Sequence, residues 1–374
     1  MDRAIASWRL RTQHLSEPHA ASAGDVVRHL LGVQAENPSQ SAWAVATRTQ
    51  APDPADLASL LASGDVLRTH VLRSTWHYVA RDDLDELLAL MSPRLRDLPG
   101  GQLRRDLGFT AGEVERLGAV VVETVKDAPH RTRDELAQTL HAQAPDLAER
   151  TTGRVVGLLL AHLEMHRRIC SGAPREVGGG KDPEHTYAAW EDRVGSRVEL
   201  DEDGLDEAVA RLAWRYLVGH GPATAKDVAY WATLTPRQAK RGIAAVQDRL
   251  SSFEHDERTF WHPAEHEPPP APTAGKPAGN LLQVLDETYR GYQDSRWVLD
   301  ADGVVPRGRE AAIGMALVDG QLVAGMKRTL DAEQVRFDLT PHRPLSAHEV
   351  SAIEEAAERY GAYLGRTPVV RVAG

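Results

Sequence analysis

The sequence predicts a mainly α, mixed α+β chain: three tandem helix clusters, each closed by a small strand pair, followed by a C-terminal β-rich half-barrel. Three observations predict it. Segments with apolar residues at helical spacing alternate with short extended runs in a repeating order. A proline-rich stretch at 263–279, PAEHEPPPAPTAGKPAG, separates the helical part from the remainder and is too poor in apolar residues to pack. Beyond it, alternating runs flank Asp319-Gly320, a strong short-range hairpin signal, and one long amphipathic segment follows.

The first cluster opens with an amphipathic helix ending in Val26, Val27, Leu30 and Leu31, then a helix around 43–49 and another opened by Pro54. An extended run at 66–79 mixes Arg68, Thr75 and His77 with Val71, Trp76 and Tyr78. The second cluster starts with helical spacing at 114–125. Thr132-Arg133-Asp134-Glu135 is a capping box opening its next helix, and 154–166 is a third. Ile169-Cys170-Ser171 and Thr186-Tyr187-Ala188 are expected to pair around a glycine-rich tip at 172–181. In the third cluster Thr224 with Asp227 caps one helix, Thr235-Pro236-Arg237-Gln238 opens another, and 252–261 supplies the strands. After the linker, 281–292 carries Asp286-Glu287, 316–323 and 335–339 read as strands, and 346–364 as a closing helix.

Helices closed by a hairpin form a winged helix, a helix-turn-helix variant that presents its third helix to a DNA groove. The expected segments are three winged helices at 1–100, 101–200 and 201–262, a linker at 263–280 and a β-rich domain at 281–374. A length of 374 residues suits several domains, and 42% hydrophobic with 26% charged residues exclude wholesale disorder.

The formal net charge of −10 argues against a protein that coats nucleic acid regardless of sequence. Positive charge is instead local: Arg237, Lys240, Arg241 and Arg249 gather on and beside the third cluster's candidate recognition helix. One cysteine, Cys170, forbids an intrachain disulfide and fits a reducing cytoplasm. No stretch approaches the roughly 18–20 apolar residues of a membrane span, and the N-terminus has no secretory apolar run. A cytoplasmic location is therefore expected, with nucleoid association when bound to DNA. Only five methionines and four phenylalanines resemble a high-GC actinobacterial proteome.

Several motifs can be set aside. The glycine-rich tip is not a phosphate loop, because the required spacing puts Arg175 where the first glycine belongs and Asp182 where Ser or Thr must stand. His162 and His166 lie one helical turn apart around Glu164, with Cys170 four residues on, but not in the H-E-x-x-H order of a zinc protease. A core helix running into a strand explains the same residues, and no metal is expected.

The segment Gly32-Val33-Gln34-Ala35-Glu36-Asn37-Pro38 is the candidate for chemistry. In extended backbone Gln34 and Glu36 point to one side with Ala35 on the other. Gly32 and the pre-proline Asn37 favour that geometry. A carboxamide and a carboxylate would then converge on one small volume, the amide orienting a water molecule and the carboxylate accepting its proton. The alternative is a polar turn between helices with no chemistry.

These residues resemble the signature of the AlkZ/YcaQ-like winged-helix DNA glycosylases, Gln-hydrophobic-Gln or Gln-hydrophobic-Asp. The resemblance extends through Arg68-Thr69-His70-Val71-Leu72-Arg73-Ser74-Thr75-Trp76-His77-Tyr78, Ile169-Cys170-Ser171-Gly172 with His185-Thr186-Tyr187-Ala188, and Gly219-His220-Gly221-Pro222-Ala223-Thr224. It continues in Leu281-Leu282, Asp286-Glu287-Thr288-Tyr289 and Lys327-Arg328-Thr329. It implies three tandem winged helices around a concave basic surface and a β-rich C-terminal domain. It also implies a monofunctional glycosylase for alkylated purines, some members of the family unhooking interstrand crosslinks or protecting antibiotic producers from their own genotoxins. The catalytic pair would be Gln34 and Glu36, the glutamate standing where the family has Gln or Asp and reaching one methylene further than Asp.

On this reading the substrate is double-stranded DNA carrying N7- or N3-alkylated purines, the chain acts as a monomer, and no metal or organic cofactor is needed. Arg73 and His77 would grip phosphates beside the lesion. Arg237, Lys240 and Arg241 would line the DNA groove, and Lys327 and Arg328 would enter the minor groove. Arg68, Trp76, Asp286 and Glu287 are expected to be structural. The rival is a non-catalytic winged-helix regulator or genotoxin shield, which would not need Gln34-x-Glu36. A nuclease is disfavoured because no clustered carboxylates suggest two-metal coordination.

Overall fold

The computed structural model describes residues 1–17, 19–178, 183–195, 197–268, 277–306 and 314–373. Parts of the expected glycine-rich tip and of the proline-rich linker lie outside them. By compactness the chain forms two units, one built from Ala58–Ala208 and the other from Met1–Leu57 together with Val209–Gly374.

In the 58–208 unit the strands Val66–Val71 and Thr75–Ala80 form an antiparallel hairpin, with Thr69 opposite His77 and His70 opposite Trp76. Leu72 and Ser74 take positive φ values of 56° and 61° at its turn. Farther along come helix Ala111–Asp127, the short strand Arg131–Thr132, helices Arg133–Gln143 and Gly153–Met165, and the strands Ile169–Ser171 and Thr186–Ala189. The strand 131–132 pairs with 186–189, which pairs with 169–171. This helix, strand, helix, helix, hairpin order is a winged helix. The capping box is present as the sequence predicts: Thr132 N–H donates to Glu135 Oε2 at 2.8 Å and Glu135 N–H to Thr132 Oγ1 at 3.2 Å. The helices close on one core through Leu117, Val121, Leu136, Leu159 and Ile169.

Polar residues near this core have fixed roles. Glu164 is fully buried and accepts hydrogen bonds from Thr69 Oγ1 at 3.0 Å and His70 Nδ1 at 2.5 Å. The Arg68 guanidinium stands 4.2 Å over the Trp76 ring, and Trp76 packs against the core, so both serve structure as expected. Cys170 is buried with its thiol pushed up to about 12 by desolvation.

The other unit carries the helices Asp2–Thr12, Ala23–Leu30 and Pro38–Ala46 with the two-residue strand Val33–Gln34 between the last two. Its later part holds helices Ala225–Ala232 and Pro236–Ala245 and the hairpin Leu250–His255 with Arg258–Pro263. Both expected capping boxes are formed, at Thr224 with Asp227 and at Thr235 with Gln238. The β-rich end is a five-stranded sheet in the order Thr367–Val372, Gln334–Pro341, Gln321–Leu330, Gly314–Val318, Gly279–Leu282. All its pairings are antiparallel except that of 367–372 with 334–341. Asp319 and Gly320 make the tight turn of the expected hairpin, with φ of 48° and 77°. Helix Ala347–Leu364 lays Ile353, Ala356 and Tyr360 on the sheet. It comes so close that a Cβ on Gly279 would strike the Ala352 carbonyl. No helix among the described residues is long and apolar enough to cross a membrane.

Candidate active site

The backbone around Gln34 behaves as the sequence dictates. Helix Ala23–Leu30 is stopped by Leu31 in the left-handed region, φ 63°. Asn37, held extended by the following proline at φ −111° and ψ 100°, caps helix Pro38–Ala46 by accepting from Gln40 N–H at 3.3 Å. Between these stops Gln34 is 5% exposed, Ala35 is fully buried, and Glu36 is exposed to solvent.

What fixes this short strand comes from far along the chain. Gln34 N–H donates to Glu287 Oε1 at 3.2 Å, and Gln283 Nε2 donates to the Gln34 carbonyl at 3.3 Å. Gln283 Nε2 also donates to Ser41 Oγ at 3.1 Å. Glu287 is fully buried, and its second oxygen accepts from Trp231 Nε1 at 2.9 Å with His220 Nε2 at 3.3 Å. A buried carboxylate is tolerated where its oxygens meet donors, and here both do.

Asp286, next in sequence, forms a second buried anchor. Arg48 grips it through two bonds of 2.9 and 2.7 Å, neither side chain being exposed. Asp286 also caps the helix Glu287–Arg290, accepting from Thr288 N–H at 2.9 Å. The acidic pair expected to be structural is therefore both a cap and a clamp on the candidate catalytic strand.

Arg328 differs from its expected place in a DNA groove. It is half-buried, donating to Ser39 Oγ at 2.6 Å and to the Tyr360 hydroxyl at 2.7 Å. The register explains the difference: Arg328 lies opposite the buried Phe337, whereas the exposed Lys327 lies opposite Asp338. Tyr360 in turn stacks on Trp43 at 4.2 Å, whose indole N–H donates to the Leu281 carbonyl. Arg328 thus steadies the helix that follows Glu36, while Lys327 is the member of the pair open to a ligand.

Arg237, Lys240 and Arg241 are exposed on helix Pro236–Ala245, whose inward face is Ala239, Gly242 and Ile243. Lys240 borders a cleft of about 440 Å³ that also takes in Lys226, Arg258 and Asp294. Arg249 stacks on Trp214, 3.5 Å from the ring centroid.

In the 58–208 unit the expected phosphate contacts Arg73 and His77 are not equivalent. His77 is fully buried, its Nδ1 2.9 Å from the Thr75 carbonyl and its Nε2 3.4 Å from the Arg73 guanidinium. His77, expected as a phosphate contact, instead begins a run of buried residues, His77 to Ala80, at the end of its strand, and the partly exposed Arg73 is the outer member. Also in this unit, Asp97, His162 and His166 are the described residues that could hold a metal ion, one ligand atom of each lying within 4.8 Å of the others. Cys170 does not join them; its thiol meets the Ala189 carbonyl at 3.7 Å.

The 58–208 unit thus holds a winged helix, and the other unit holds a five-stranded sheet and the short strand Val33–Gln34 clamped by Glu287 and Gln283. The chain belongs to the AlkZ-like DNA glycosylase family, whose profile matches residues 27–363. It is 27% identical over 363 residues to a Streptomyces sahachiroi protein named interstrand DNA cross-link repair glycosylase, covering 95% of this chain and 94% of that one. In fold it is similar to the solved Streptomyces sahachiroi DNA glycosylase AlkZ, with a TM-score of 0.75 at 24% identity over 99% of each chain. Its class of activity is DNA glycosylase, and its substrate is DNA.

Proposed function

We propose that the protein hydrolyses the N-glycosidic bond of purines made cationic by alkylation at N7 or N3, bulky adducts and interstrand cross-links included, in DNA repair or self-resistance. The observation that carries this reading is the solvent-exposed Glu36 two residues from Gln34, whose backbone is clamped on both its N–H and carbonyl by Glu287 and Gln283. Alkylation makes the base a good leaving group, so the enzyme has mainly to stabilise an oxocarbenium-like sugar and deliver water. The C1′–N bond breaks with its electron pair going to the purine, which leaves neutral. Water adds to C1′ as Glu36 takes its proton, with the Gln34 carboxamide orienting that water.

Arg73, Arg237, Lys240, Arg241 and Lys327 are proposed as phosphate contacts, with His77 behind Arg73 and Arg328 behind the catalytic strand. We likewise assign the winged helices to 1–100, 101–200 and 201–262 and take the working form to be a monomer. Incubation with duplex DNA carrying N7-methylguanine, followed by heat or alkali, should reveal strand breaks at abasic sites. Glu36→Ala and Gln34→Ala should keep DNA binding and lose excision. No base release from any alkylated duplex would reject the activity, and normal turnover in both variants would reject the pair.

A further inference from the structure

We propose that Asp97, His162 and His166 form a binding site for a divalent transition-metal ion of zinc's class, separate from the proposed catalytic pair. Three observations converge on it. First, one ligand atom from each side chain falls within 4.8 Å of the others, with His162 Nδ1 4.0 Å from Asp97 Oδ1. Ligands on one zinc at ~2.0–2.1 Å stand about 3.3 Å apart in tetrahedral geometry, so closure asks for shifts of roughly an ångström.

Second, two ring nitrogens at the site, His162 Nδ1 and His166 Nε2, are buried without a hydrogen-bond partner. Buried imidazole nitrogens are normally satisfied, and an orphan pair on one helical turn calls for an explanation such as an ion. The two rings pack edge to face with centroids 4.2 Å apart.

Third, the surroundings are built like a ligand shell. Arg104 binds Asp97 Oδ2, which leaves Oδ1 to the histidines and fixes the carboxylate's orientation as outer partners of metal ligands do. Gly100 lines the same volume, and a Cβ there would lie 2.8 Å from both Asp97 Oδ1 and His162 Nδ1. Any larger residue would fill the space in which the two groups meet.

Two imidazoles and one carboxylate suit zinc or its neighbours in the first transition row rather than calcium or magnesium, which prefer oxygen alone. Such an ion would tie the start of helix Leu98–Arg105 to the end of helix Gly153–Met165 and would act on structure. Arg96 and Arg168 add positive charge beside His166, so direct titration is the appropriate test.

The tag-free, chelator-stripped full chain would be titrated with Co²⁺ and then Zn²⁺. One Co²⁺ per chain should bind with the visible absorption of a low-coordinate site and be displaced by Zn²⁺. The signal should be lost in His162→Gln and Asp97→Asn but kept in Cys170→Ser. In parallel, Zn²⁺ should raise the melting temperature of the wild type and not that of His166→Gln. The wild-type titration stands whether or not a variant folds. Absence of stoichiometric binding to the wild type would overturn the proposal, as would equal binding by folded His162→Gln and Asp97→Asn.

Discussion

Glu287 accepts the backbone N–H of Gln34 at 3.2 Å across 253 residues of sequence, while its other oxygen takes the indole N–H of Trp231. Glu287→Gln keeps the shape but turns one acceptor into a donor, so one of those buried N–H groups must go unmatched. The expected cost is about 1–3 kcal/mol, read from urea unfolding, and excision should fall further than DNA affinity. Unchanged unfolding and turnover together would remove Glu287 from the support of the site.

The Arg48–Asp286 pair has no solvent to fall back on. Removing one partner by Asp286→Ala strands a buried guanidinium, and a loss of about 3–5 kcal/mol is expected. Thermal unfolding measures it. A shift no larger than that of an exposed ion pair would mean that water reaches Arg48.

Charge and length at position 36 separate in two conservative variants. Glu36→Asp keeps an anion on a shorter arm, whereas Glu36→Gln keeps the arm and loses the base. Single-turnover excision of N7-methylguanine should fall by about 10²–10⁴ in Glu36→Gln and by less in Glu36→Asp. The reverse order would assign position 36 to contact rather than proton transfer.

Salt dependence tests the exposed cations of helix Pro236–Ala245. If Arg237, Lys240 and Arg241 each neutralise a phosphate, every alanine replacement should lower the slope of log K against log salt by about 0.9. The loss should be similar on any duplex sequence. A slope that stays constant through the triple variant would place DNA elsewhere.

Acid should weaken the fold. Burial, with His14 close by, pushes His29 from 6.5 down to about 4. Since its value is lower in the folded than in the unfolded chain, the unfolded chain binds the extra proton. The contribution of His29 is therefore present above pH 6.5 and lost as pH falls towards 4. Six further histidines, His130, His162, His166, His185, His262 and His266, are lowered in the same sense, chiefly by desolvation. Unfolding free energy should drop steeply through that window, and His29→Gln should flatten the drop. A pH-independent plateau down to 4 would contradict this.

The legible parts of the molecule were those governed by local chemistry. Thr132 with Glu135, Thr224 with Asp227, the Asp319-Gly320 turn and the pre-proline Asn37 each satisfy their neighbours' backbone groups, so their signals lie within four residues. Helix Arg81–Leu90 and the parallel strand Thr367–Val372 were not anticipated, the latter because its partner 334–341 is set by tertiary pairing alone. The same limit applies to the site. Gln34 and Glu36 could be singled out as candidates by spacing, but the clamp by Gln283 and Glu287 could not, although two adjacent acids in an apolar run were a hint. The burial of Arg328 and His77 could not be read from residue type: the register sets Arg328 opposite Phe337, and His77 opens a run of four buried residues.

The long reach of those clamps has a consequence for biosynthesis. Gln34 and Glu36 leave the ribosome early, but Gln283, Glu287 and Arg328 follow some 250–290 residues later. At ~5–20 residues per second the strand stays without its supports for many seconds. A nascent chain is therefore expected to carry the proposed catalytic pair in an unset state, so that, on that proposal, a truncated product would be inert towards the genome.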